Sequence, residues 1–171
     1  MTTRPRTTGF TLVELIIIVA ILVTMLAVAM PIFSQTIAQR RLTSAVERVV
    51  GDLRYVQSLA VTEGVVHRLH SGTDGAVGRP GEYRLERDNG AGGWTQISAW
   101  YDPSTDYRGS RLQGIKDNAG TTLASHDLRF NSRGAVANTG VGNFPIVLTV
   151  VAENGATRAV QVLRTGVVRI P

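Results

Sequence analysis

The sequence predicts an α+β protein, one long N-terminal helix packed on an antiparallel β-sheet. Three observations carry that expectation. Leu15 to Met30 is an apolar run without a charged residue, which reads as a helix destined for lipid or for other apolar helices. Beyond it Leu42, Val46, Val49, Leu53, Val56 and Ala60 recur at alternating spacings of four and three residues, as they must on a helix with one apolar face. After Gly64 the texture changes to short segments divided by glycine, asparagine and proline, the pattern of strands and turns.

Taken in order, residues 1–9 are polar and basic and are expected to stay on the cytoplasmic side of a membrane. Residues 10–33 form the membrane-crossing helix. Pro31 removes a backbone donor and crowds the preceding turn, so a kink is expected there. Residues 34–63 continue as amphipathic helix, with Arg40, Arg41, Glu47, Arg48, Asp52 and Arg54 off the apolar stripe and Gly64 as its stop. Residues 64–171 make a β-rich domain. Strands are expected at 65–69, 82–87, 94–101, 123–130, 144–152, 156–163 and 167–170, with a glycine-rich loop at 71–81. The stretch 102–118 reads as irregular, anchored by Leu112 and Ile115. Asn154-Gly155 predicts a hairpin with a type I′ turn, and Asn131 to Gly134 a further turn.

Glu14 is the anomaly. An unpaired carboxylate at mid-bilayer costs roughly 2.5–3.5 kcal/mol on insertion scales. The ten Leu, Ile and Val residues of the run favour insertion by roughly 3–6 kcal/mol together. The acid is therefore tolerated, and its retention points to a function and to a cation partner.

Arg4 and Arg6, then Gly9-Phe10-Thr11-Leu12-Val13-Glu14, then an apolar helix, resemble the class III leader of type IV pilins and type II secretion pseudopilins. The resemblance implies a type IV pilin-like fold and maturation by prepilin peptidase, a membrane-embedded aspartic peptidase. That enzyme would cut between Gly9 and Phe10 and N-methylate Phe10. Pro31 sits where the family has a helix proline. Cleavage would create an ammonium on Phe10 one helical turn before Glu14, which gives the carboxylate its cation within the chain or on a neighbouring subunit. An ordinary signal peptide cut after Ala27-Val28-Ala29 and an ordinary single-span anchor are the competing readings; the acid between basic residues and apolar core argues against both, as does the amphipathic pattern that continues past Pro31. Further along, Asp52-Leu53-Arg54 to Ala60, Leu128 to Gly134, and Thr165-Gly166-Val167-Val168-Arg169-Ile170 resemble the GspH/FimT group of minor pseudopilins. Val167 departs from that group, many of whose members carry arginine there.

Composition narrows the chemistry. The chain has 171 residues and no cysteine, so disulfides, zinc-thiolate sites and thiol nucleophiles are excluded. Its net charge of +5 comes from 18 basic and 13 acidic residues, Lys116 being the one lysine. Losing Arg4 and Arg6 with the leader leaves 16 basic against 13 acidic, a side-chain charge of +3. His67 and His70, three apart on a strand, fall on opposite faces, which disfavours a shared metal; they read as edge or surface histidines. Ser125-His126-Asp127 has the residue types of a triad, yet neighbours on a strand alternate faces and cannot relay a proton. No glycine-rich loop continues into a phosphate cradle. Asp102 to Asp106 and Asp88-Asn89-Gly90 read as turns rather than calcium ligands.

The expectation is therefore a structural protein, with no enzymatic activity, cofactor or metal. The resemblance implies a minor pseudopilin of a type II secretion machine, single-pass in the inner membrane with its domain periplasmic. Its partners would be other pseudopilins in a filament, prepilin peptidase, the inner-membrane assembly platform and membrane lipid. The alternative it implies is a type IV minor pilin that binds DNA through a basic tail. Arg158, Arg164 and Arg169 would then neutralise phosphates, although their reading as alternating solvent-facing residues of an exposed edge strand, where charge also prevents edge-to-edge aggregation, is the favoured one.

Overall fold

The computed structural model describes residues 9–72, 79–123, 126–138 and 143–171. It divides into two compact units, residues 1–37 and 38–171. One helix, α1 (Leu12–Glu63), contributes to both. In the first unit it is the one helix among the described residues long and apolar enough to cross a membrane, with a mean hydropathy of 3.0 over its most apolar window. It does not break at Pro31. It starts two residues later than expected, because the Thr11 hydroxyl accepts the Glu14 N–H at 3.3 Å and so serves as the N-cap. It ends where Gly64, at φ +71°, donates back to the Ala60 carbonyl.

In the second unit every member of the predicted stripe, Leu42 to Ala60, is buried. The stripe joins one core with two four-stranded antiparallel sheets. The first holds β1 (His67–Ser71), β2 (Tyr83–Asp88), β3 (Trp94–Gln96) and β5 (Asp127–Phe130) in the order β3-β2-β1-β5. The second holds β4 (Arg111–Lys116), β6 (Ile146–Val151), β7 (Thr157–Val162) and β8 (Val168–Arg169) in the order β4-β6-β7-β8. A short helix, α2 (Pro103–Asp106), precedes β4 and is capped by Asp102. Leu69, Leu85, Leu128 and Phe130 face inward from the first sheet, and Leu112, Ile115, Leu148, Val160 and Val162 from the second. The Leu112 N–H donates to Gly81 O at 3.2 Å and stitches one sheet to the other.

Three expectations need correction. Residues 102–118 are not irregular: they hold α2 and β4. The strand was masked because Leu112 and Ile115, three apart, would point to opposite faces of a regular strand. A bulge between Leu112 and Gly114 resets the alternation and buries both. The segment 94–101 is strand only to Gln96. The N–H groups of Ile97 and Ser98 both turn to Leu85 O, and Ser98 Oγ takes the Leu85 N–H, so side chain replaces ladder until Tyr101 pairs with Tyr83. The Asn154-Gly155 hairpin is present, but Gly155 alone of the two has positive φ, and its N–H donates to Ala152 O. This is the three-residue loop that ends on a left-handed glycine, not a type I′ turn.

Truncating the stripe is expected to unfold the second unit preferentially. Leu53→Ala should cost about 2–5 kcal/mol, while Tyr55→Ala, on the exposed helix face, should stay within about 0.5 kcal/mol. Denaturant unfolding followed by tryptophan emission measures both.

Candidate functional site

The N-terminal site begins outside the helix. Gly9, Phe10 and Thr11 precede α1 and are exposed, and a side chain added at Gly9 would meet nothing within 4 Å. The Gly9–Phe10 bond thus lies in non-helical chain, the form in which a peptidase can address a backbone. Glu14 occupies the first turn of α1 and is exposed. Thr11 and Glu14 stand at the cap and third positions of a capping box, where an acid offsets the positive end of the helix dipole. An ammonium on Phe10 would add a full charge at that same end. Glu14 is the carboxylate within one turn able to balance it. Arg4 and Arg6 lie outside the described residues.

The domain carries a polar network that sequence reasoning missed. On the first sheet's outward face, strand register sets Arg68 opposite Glu86 on β2 and opposite Arg129 on β5. The Arg68 guanidinium bridges Glu86 and Asp127, each at 2.6 Å, and these carboxylates are 1% and 0% exposed. Arg84 completes Glu86 and Arg129 completes Asp127. Trp94 covers the assembly, its ring 3.9 Å from the Arg68 guanidinium and 5.2 Å from that of Arg129. Two carboxylates can lie so deep because each meets two guanidinium groups. Alternation of charge with Leu69, Leu85 and Leu128 was visible in the sequence; the register that pairs the charges was not.

Helix and sheets are also pinned by polar contacts. Gln57 Nε2 donates to Gly134 O at 2.7 Å and to Gly166 O at 3.1 Å, joining the turn after β5 to the turn before β8. Gly166 has φ +90°, and a Cβ there would strike both Gly134 O and the Gln57 amide. Nearer the middle, the Tyr83 hydroxyl donates to Asp52 at 2.6 Å, and Arg48 pairs with the same carboxylate at 3.2 Å. Burial, and then the Asp52 charge, hold the Tyr83 phenol far above its usual range, so it stays a donor. The Asp52 carboxylate likewise raises Arg48.

The remaining candidates fall into place individually. His67 and His70 do lie on opposite faces, but they are neither edge nor surface residues. They sit 0% and 8% exposed on the interior strand β1, His67 beside Glu63 at 3.4 Å and His70 near Trp100. Ser125 lies outside the described residues, and Asp127 is committed to Arg68 and Arg129. The oxygens of Asp102 accept from Ser104, Asp106 takes the Tyr101 hydroxyl, and Asn89 accepts from Ala91 and Gly93. Arg158, Arg164 and Arg169 are exposed. Arg158 has the strand parity of buried Val160 and Val162, whereas Arg169 pairs with Gln161, so the two point to opposite faces of the second sheet. Arg164 lies over the Phe144 ring, and Arg169 bonds Gln161.

The family described as Type II transport protein GspH matches residues 45–166. Among solved structures, the chain is similar to the minor pseudopilin EpsH of the Vibrio cholerae type II secretion system. The identity is 13%, the TM-score 0.56, and the match covers 78% of this chain and 96% of that one. It is also similar to the type IV minor pilin FimU of Pseudomonas aeruginosa, at 15% identity and a TM-score of 0.53, covering 78% and 90%. These likenesses show a type IV pilin-like fold. No curated protein sequence matches the chain.

Removing the centre of the ion network exposes what it balances. Arg68→Met should leave Glu86 and Asp127 with one guanidinium each in place of two and cost up to about 3–5 kcal/mol. The triple change of Arg68, Glu86 and Asp127 to apolar residues should recover most of that loss. Unfolding midpoints of the two variants decide this.

Proposed function

The chain belongs to the GspH family of type II transport proteins, and from that premise we propose that it is a minor pseudopilin, a structural subunit of a type II secretion pseudopilus. The observation that carries the reading is the division of α1. Its first part is an exposed apolar helix fit for a membrane, and its last part is the buried spine of a pilin-like domain. Such a subunit is built to be stored in a bilayer and handed to a filament.

In this reading residues 1–9 are a leader and residues 10–33 span the inner membrane once, with the amino terminus cytoplasmic. Residues 34–63 carry the domain, residues 64–171, on the periplasmic side. Prepilin peptidase cuts after Gly9 and methylates Phe10. The freed ammonium meets a Glu14 carboxylate, its own or that of the neighbour already assembled, as apolar helices leave lipid and repack against one another. The charge pair is worth most where water is scarce, so it rewards correct axial placement of the incoming helix. Pro31 eases the passage from membrane helix to domain spine by removing one backbone hydrogen bond. The assembly platform and other pseudopilins are the partners, and no catalytic step is assigned to the chain.

A second reading, a type IV minor pilin that takes up DNA, draws support from the FimU likeness and from exposed Arg158, Arg164 and Arg169. Opposite orientations of Arg158 and Arg169 weaken it as a single phosphate-binding patch. DNA retention that falls with salt and with substitution of these arginines would favour it.

Glu14→Ala should leave membrane insertion intact, since it removes an insertion penalty, and should reduce incorporation into filaments by about tenfold or more. Fractionation and recovery of sheared filaments measure the two effects. Normal incorporation of the variant would contradict the mechanism.

A further inference from the structure

Residues of α2, the start of β4 and the β6–β7 hairpin line an open polar cleft of about 550 Å³. Arg108 and Arg111 line it, together with Asp102, Ser104, Gly109 and Glu153. The loop between the two arginines is fixed. Ser110 is fully buried, and its N–H donates to Tyr107 O at 2.8 Å, which leaves Arg108 and Arg111 exposed on either side of a pinned residue.

Two glycines shape the walls. Gly109 has φ +77°, and a Cβ there would lie 2.5 Å from the Glu153 Cβ, so the loop can close on the hairpin only as glycine. Gly81 has φ +93° and makes room for the Arg111 stem, whose Cβ would lie 3.0 Å from an added side chain. The charges on these walls are not spent internally. Among the described residues Arg108, Arg111 and Glu153 take no part in an ion pair or side-chain hydrogen bond, in contrast with Arg68, Arg84 and Arg129. Asp102 differs, its carboxylate being filled by the Ser104 N–H and hydroxyl.

We propose that this cleft binds a polypeptide segment carrying an acidic side chain and, two residues on, a basic one. The carboxylate lies between Arg108 and Arg111, and the basic group meets Glu153. Guanidinium groups match a carboxylate in geometry and charge. Phosphate is the other anion they suit, but Glu153 and Asp102 line the same walls and repel a polyanion such as nucleic acid. A lining that carries both signs of charge is complementary to a short peptide that also carries both, and not to a phosphate chain or an apolar ligand. The site depends on this cleft alone, so it stands or falls independently of the filament reading.

The test uses the full chain in uncharged detergent and reads arginine Nε–Hε resonances during titration. The probes are capped Gly-Asp-Gly-Lys-Gly, its Asp-to-Asn counterpart and inorganic phosphate. The expected result is that the Asp peptide shifts two resonances, those lost in Arg108→Gln and Arg111→Gln, with a dissociation constant on the order of 1 mM. The Asn peptide and phosphate should bind at least about tenfold more weakly. Either arginine variant should weaken the Asp peptide similarly, and Arg133→Gln, an exposed change outside the cleft, should not. Phosphate binding as tight as the Asp peptide would overturn the proposal. So would equal shifts from the Asn peptide, no shift at all, or binding that survives both arginine changes.

Discussion

Five Leu and Val side chains on the second part of α1, with Ala60 closing the row, need to be kept from water, and the arrangement of the domain follows from covering them. Each large apolar side chain removed from solvent contributes roughly 1.5–3 kcal/mol. A single short sheet would cover part of a stripe that extends from Leu42 to Ala60. Two four-stranded sheets share it instead, meeting in one core. Two sheets then have to be held in register on one helix, and Gln57 does this with a single amide. Its two donors reach Gly134 O and Gly166 O, one carbonyl from each sheet's terminal turn. Gly134 and Gly166 belong to the two C-terminal segments that resemble the GspH/FimT group, and the clasp gives that resemblance a physical reason: only glycine leaves Gly166 room for the approach.

The same sheet that buries Leu69, Leu85 and Leu128 on one side buries two carboxylates on the other. Arg68 makes this possible by standing between Glu86 and Asp127 in the centre of the sheet. Such a network adds less to stability than an apolar face of equal size, but it disfavours other strand registers, because a slip of one residue would face Arg68 with Leu85 or Arg87 on β2 and with Leu128 or Phe130 on β5. Trp94 limits water above it. Arg108 and Arg111, which line the cleft beside α2, have no such partners among the described residues, so their charge does not hold the fold in the way that of Arg68 does.

Much of this organisation was legible in linear form. The helix stripe was read residue for residue, since a 3.6-residue period survives any tertiary context that keeps one face dry. The closing hairpin was legible from Asn154-Gly155, although the loop took one more residue than the favoured turn. β4 was not legible, because its bulge breaks the alternation by which a strand is recognised. The ion network was not either: Arg68, Glu86 and Asp127 are far apart in sequence, and strand register, which pairs them, is a property of the sheet. His67 and His70 read as edge or surface histidines, yet β1 is an interior strand and both are buried. At the N-terminus the cap at Thr11 and the non-helical state of the Gly9–Phe10 bond emerged only from the helix boundary.

In the proposed function Glu14 would acquire its cation from a cut two residues before the helix begins, and maturation and assembly would share one charge pair. Intact mass and N-terminal sequencing of the protein recovered from the membranes of its own cells address this most directly. A chain that begins at N-methylated Phe10 is the predicted result. A chain that begins at Met30, as after an ordinary signal peptide, or one that retains residues 1–9 in the assembled filament, would contradict it.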